Sequence, residues 1–113
     1  MTSEKPQIAG KDETIIPIES AVELAESSYR YESGRKKAID EGRITMEELT
    51  IYKYINTWAV HNAPTMLNSK EQEKADDEAI EKAFLKAAEA FSISEEKARE
   101  IFYKVANISR VAK

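Results

Sequence analysis

The sequence predicts an all-α protein: a single-domain bundle of about four helices over residues 15–113, behind a flexible N-terminal tail over residues 1–14. Three observations carry this expectation. Helix-start signals recur along the chain, as Ser20-x-x-Glu23, Thr45-x-x-Glu48, Ser69-x-x-Gln72 and Ser92-Ile93-Ser94 before Glu95-Glu96. In the boxed form a hydroxyl accepts from the N3 amide while the N3 Glu or Gln reaches back to the N-cap amide. Each signal precedes apolar residues at helical spacing, which lines one face for burial. Three glycines and three prolines in 113 residues leave few places for long internal loops.

The tail follows from composition. After Met1, Ile8 is its only sizeable apolar side chain, too little burial to offset the entropy of ordering the segment. Ile15-Ile16-Pro17-Ile18 is then a short extended piece, because Pro17 keeps Ile16 out of the helical region. Its isoleucines are expected to lie across the bundle as a lid.

The first helix is expected from Ser20 to about Glu41, with Ala21, Leu24, Ala25, Ser28 and Tyr29 on one face and Ala38 and Ile39 resuming the pattern. One continuous helix is the preferred reading, with a break at Gly34 as the alternative, since an interior glycine costs roughly 1 kcal/mol against alanine. Gly42 suits the residue after the helix end, where a left-handed backbone is free of Cβ strain. The second helix starts at Thr45, flanked by Ile44 and Leu49 at the positions of a hydrophobic staple. Met46, Leu49, Ile51, Tyr52, Tyr54, Ile55, Trp58, Ala59 and Val60 make it apolar around most of its circumference, the mark of a central helix. Pro64 ends it. The third helix, from Ser69, carries Ile80, Ala83, Phe84, Ala87, Ala88 and Phe91 as a stripe. The fourth, from Ser94, buries Ala98, Ile101, Phe102, Val105 and Ala106.

Composition narrows function by exclusion. With no cysteine, disulfides, zinc–thiolate sites and thiol chemistry are ruled out, which fits a reducing compartment. No apolar run is long enough to span a membrane, and the polar start lacks the apolar centre of a signal peptide. A cytoplasmic protein is expected. At 42% apolar and 34% charged residues the chain suits a folded domain with a heavily charged surface, and its net charge of -4 opposes a broad nucleic-acid footprint. The lone His61 leaves zinc without its three or four ligands. Asp76-Asp77-Glu78 point in different directions on a helix and lack a calcium loop's glycine turn. No phosphate loop or serine elbow is present, and the many carboxylates interleave with Lys and Arg as on a solvated surface. No catalytic residue, metal or cofactor is therefore expected, and the chain is read as non-enzymatic.

Two positive features remain. From Tyr54 to Ser69 sixteen consecutive residues carry no charge, and this window holds the only Trp and the only His. Interface centres are depleted in charge and enriched in aromatic residues and Met. The leading expectation is a small regulatory or accessory protein that binds another protein, or a second copy of itself, through Tyr54, Trp58, His61, Met66 and Leu67. The same window also suits the buried end of a helix and a loop packed on the core, and both readings stand at this point.

The second feature is the segment from Lys86 to Ile101, which resembles a helix-turn-helix motif: Ala88 is the small residue of the first helix, Ile93 plugs the turn, and Ala98 and Ile101 face the core. Ser92 replaces the usual glycine. The resemblance covers about one-fifth of the chain and implies a DNA-binding transcriptional regulator, the alternative function, with Lys97 and Arg99 on the recognition helix and Arg35, Lys36, Lys37 and Arg43 in support. Such a helix presents its N-terminal residues to base edges. Here these include Glu95, Glu96 and Glu100, which would repel the phosphate backbone.

Overall fold

The structure, a computed structural model, describes residues 14–111. The tail expected over residues 1–14 lies outside the described residues except for Thr14. Among these residues the chain is all-α, with five helices: α1 (Ile18–Tyr31), α2 (Ser33–Asp40), α3 (Met46–Asn62), α4 (Ser69–Phe91) and α5 (Glu95–Val111). None is long and apolar enough to cross a membrane.

The central helix is α3, which packs against α1, α4 and α5. Its buried residues, Leu49, Thr50, Ile51, Tyr54, Ile55, Trp58 and Ala59, surround most of its axis. The face that α4 turns inward is mostly alanine, Ala75, Ala79, Ala83 and Ala87 with Phe84, so the bulk filling the α3–α4 seam comes from α3. Phe84 is fully buried and meets Phe102 edge-on at 5.6 Å, while Phe102 stacks on Tyr52 at 5.0 Å. This aromatic cluster ties α3, α4 and α5 together.

The first expected helix is two helices. The break falls at Glu32, and Gly34 lies inside α2. Glu32 is extended (φ -112, ψ 99) and serves both neighbours. Its N–H donates to the Ser28 carbonyl (2.8 Å), and its carbonyl accepts from the N–H groups of Arg35 and Lys36 (both 3.0 Å). Its carboxylate accepts from the Ser28 hydroxyl (2.7 Å) and from Arg35 (3.1 Å), and lies 3.7 Å from the half-buried Lys53 ammonium of α3. A continuous helix would forgo this arrangement, and the break separates α1, which packs on α3, from α2, which packs on α5. Most of these bonds are local; the contact to Lys53 comes from another helix.

Helix starts are displaced by a residue or two. α1 begins at Ile18 after Pro17, without a side-chain cap, and the Ser20 box is unused. The N-cap of α4 is Asn68, whose side-chain oxygen accepts from the Glu71 N–H at 2.8 Å. Thr45 forms both halves of its capping box with Glu48 (3.0 and 3.1 Å), and Ser94 accepts from the Lys97 N–H at 3.0 Å. After α2 the chain reverses through Gly42 (φ +79), with Gly42 N–H donating to Ile39 and Arg43 N–H to Ala38, the paired bonds of a Schellman motif. Of the expected lid, only Ile16 is buried; Ile15 is 86% exposed, since extended backbone points alternate side chains to opposite faces, and Ile18, the first residue of α1, is also exposed.

Candidate functional site

The uncharged window divides into an inward and an outward part. Tyr54 and Trp58 belong to the core, at 7% and 3% exposure. Tyr54 meets Phe91 edge-on at 5.4 Å, and burial pushes its phenol pKa up. Neither ring is presented to a partner. His61, Met66 and Leu67 are exposed, Leu67 completely so at 104% of its reference area. The His61 Nδ1 lies 2.9 Å from the Thr57 carbonyl, which fixes the ring against its own helix. Val60, 67% exposed, joins the outward part. The legible sign of this was its helical register with Lys53 and Asn56 rather than with Trp58.

The loop from α3 to α4 is fastened by Gln72. Its side-chain oxygen accepts from the Met66 N–H at 2.8 Å, and its amide donates to the Pro64 carbonyl and to Asp76, both at 3.0 Å. At the other end Asn62 donates to the carbonyls of Trp58 (3.0 Å) and Thr14 (3.2 Å) and accepts from the Thr14 N–H (2.7 Å). Sequence spacing had assigned Gln72 to a capping box. With Asn68 taking the cap, its amide is free for the loop. Met66 and Leu67 are thus held on a pinned segment.

Two hollows flank this corner. One of about 370 Å³ lies between α3 and α4, walled by Asn56, Ala59, Val60, Ala63, Pro64 and Ile80 and edged by Asp76. The other, about 430 Å³, lies between α1, α3 and the extended piece, among Ile16, Pro17, Glu23, Leu24, Thr57 and His61. Val60 and His61 therefore sit on a ridge of α3 between two largely uncharged depressions. These walls come from elements distant in sequence and were not recognisable before the helices were packed.

The basic residues of the DNA reading are distributed differently. Arg35 is buried at 7% exposure within the Glu32 and Ser28 network and lies over the Tyr52 ring at 4.9 Å. Lys36 pairs with Asp40 at 2.9 Å and Arg43 with Glu41 at 3.0 Å. Arg99 makes a two-pronged bond to Glu81 (2.8 and 2.7 Å) and lies over Phe84 at 4.7 Å. This bond holds the Glu81 carboxyl below the usual range and raises the Arg99 guanidinium. Lys97 lies 4.0 Å from Glu100, and Lys37 is exposed. At the α4–α5 turn Ser92 is left-handed (φ 57, ψ 46) and Ile93 packs against the core. The first turn of α5 is acidic, with Glu95 and Glu96.

Among the described residues no group of three or more His, Asp or Glu side chains is placed to hold a metal ion. What this surface can do chemically is desolvate apolar side chains against Val60, Pro64, Met66 and Leu67. Comparison with known protein families, characterised proteins and solved structures finds no match in any of the three.

Proposed function

We propose that this chain is a non-enzymatic regulatory or accessory protein that works by binding another protein through the outward part of its uncharged window, Val60, His61, Met66 and Leu67, in a reducing compartment such as the cytoplasm. One observation carries the reading. Leu67 is fully exposed on a loop that Gln72 holds by two hydrogen bonds. A solvent-facing Leu on an ordered loop adds nothing to the core, and pre-ordering lowers the entropy that a partner must offset on binding. The carboxylate partners of Arg43, Lys36 and Arg99 weigh against the DNA alternative, because those cations already have counter-ions.

The test is Leu67→Asp, with Met66→Asp beside it. The thermal midpoint should stay near that of the unsubstituted protein, since Leu67 buries nothing within the chain. Binding to a partner, or self-association read by light scattering, should be abolished, because an unpaired carboxylate in a desolvated contact costs several kcal/mol. Unfolding of both variants would return the loop to the core. Unchanged folding together with unchanged association would place the contact surface elsewhere.

A further inference from the structure

The hollow between α3 and α4 joins apolar and acidic surface. It is lined by Ala59, Val60, Ala63, Pro64 and Ile80, with Asn56, Thr65 and Gln72 as polar members and Asp76 as its carboxylate. Asp76 continues directly into a strip containing Glu73 and Asp77 on the outer face of α4, one helical turn along. Several other carboxylates of the fold meet cations: Glu81 with Arg99, Glu48 with Lys104, Glu32 with Lys53, Asp40 with Lys36. Glu73 and Asp77 form no ion pair among the described residues, and Asp76 accepts only from the Gln72 amide. Lys70 also lines the strip. Over residues 69–80, however, Lys70 and Lys74 stand against Glu71, Glu73, Asp76, Asp77 and Glu78. The apolar hollow thus opens onto a stretch of helix surface where negative charge is left over, five carboxylates against two lysines.

We propose that this cleft receives a cationic amphipathic segment of a partner protein. One large apolar side chain enters the hollow against Val60, Pro64 and Ile80, and a Lys or Arg about one helical turn away lies on Glu73, Asp76 and Asp77. The inference rests on the interaction reading above and supplies the partner's chemistry. A second copy of this chain fits less well. Its net charge is -4, and Arg35, Lys36 and Arg43 of its basic run are engaged with Glu32, Asp40 and Glu41. A pre-formed acidic rim also speeds encounter with a basic partner and makes the affinity depend on salt.

The experiment is selection of a random peptide display library on the immobilised full chain, followed by titration of one synthetic peptide from the selected pool. The pool should be enriched in Lys and Arg beside a large apolar residue, and its binding should weaken as salt is raised. The double substitution E73K/D77K touches no pinned loop contact and should leave the thermal midpoint unchanged. It should weaken the peptide by about tenfold or more, and a peptide with its cations changed to Glu should recover that loss. Val60→Lys should likewise block binding. A selected pool with no basic bias, lost on Leu67→Asp but indifferent to E73K/D77K, would overturn the cationic partner and leave the interaction surface standing. Absence of any pool above the bare support would overturn both.

Discussion

Gly42 and Ser92 are the two described residues with a left-handed backbone, and their side chains suit it unequally. Gly42 (φ +79) closes α2 with both bonds of its turn made, and no atom lies within 4 Å of where a Cβ would stand. Substitution there strains the backbone without a clash. Gly42→Val should lower stability by about 1 kcal/mol or more, as read by chemical denaturation, because a β-branched residue is poorly tolerated at positive φ. Ser92 holds the same conformation (φ 57) with a Cβ in place. Ser92→Gly should therefore raise stability, by about 0.5 kcal/mol after the added freedom of the unfolded glycine is counted. An unchanged or lower denaturation midpoint for Ser92→Gly would show that the αα turn carries no such strain.

At the scale of elements, the corner between α3 and α4 is held from two sides, by Asn62 on the extended piece and by Gln72 on the loop. Gln72 is half-buried, and its three hydrogen bonds span Pro64 to Asp76. Gln72→Ala should cost about 1 kcal/mol, the usual net worth of exposed hydrogen bonds with some allowance for water taking their place. The more telling readout is local. The Met66 amide should exchange with solvent faster, while amides in the middle of α3 keep their protection. If the Met66 amide is unaffected, the loop is ordered by something other than Gln72. Thr45 offers a comparison in the same helix. Thr45→Ala removes a complete capping box and should cost about 1 kcal/mol, with no effect on Met66.

For the whole molecule, the balance of charge decides both pH response and partner class. The two-pronged Arg99 bond holds the Glu81 carboxyl below its ordinary pKa, and the Tyr29 hydroxyl, with Lys36, does the same for Asp40. A carboxylate depressed in the folded state stabilises fully above its unfolded pKa, and that contribution is lost as pH falls through the folded value. The thermal midpoint should hold from neutral pH down to the ordinary carboxylate range, about pH 4, and fall below it. Glu81→Gln should reduce the size of that fall. Because these pairs are exposed, the effect is one of slope more than of magnitude. The same pairing sets the expectation for nucleic acid. A DNA duplex at physiological salt should not be retained in a sequence-dependent way. Such retention, lost in Arg99→Ala, would make the helix-turn-helix reading the correct one.

Local chemistry made much of this protein legible from its sequence. The all-α class, the Thr45 box, the Ser94 cap and the left-handed Gly42 depend on residues within four or five positions of one another, and the backbone bonds they satisfy are the same wherever the helix lies. The central place of α3 was legible too, because an apolar residue at nearly every angle requires neighbours on all sides. Packing alone decided the rest. The uncharged window has one composition throughout, yet Tyr54 and Trp58 face inward and Val60 and His61 face out, because α1, α4 and α5 cover only part of the circumference of α3. The Glu32 carboxylate at the helix break meets Lys53 of another helix. Arg99 found its counter-ion eighteen positions away, on Glu81. The candidate cleft is walled by residues from α3, the loop and α4, so it exists only once two helices are laid side by side. Burial and ion pairing depend on which surfaces meet, and that is a property of the assembled fold.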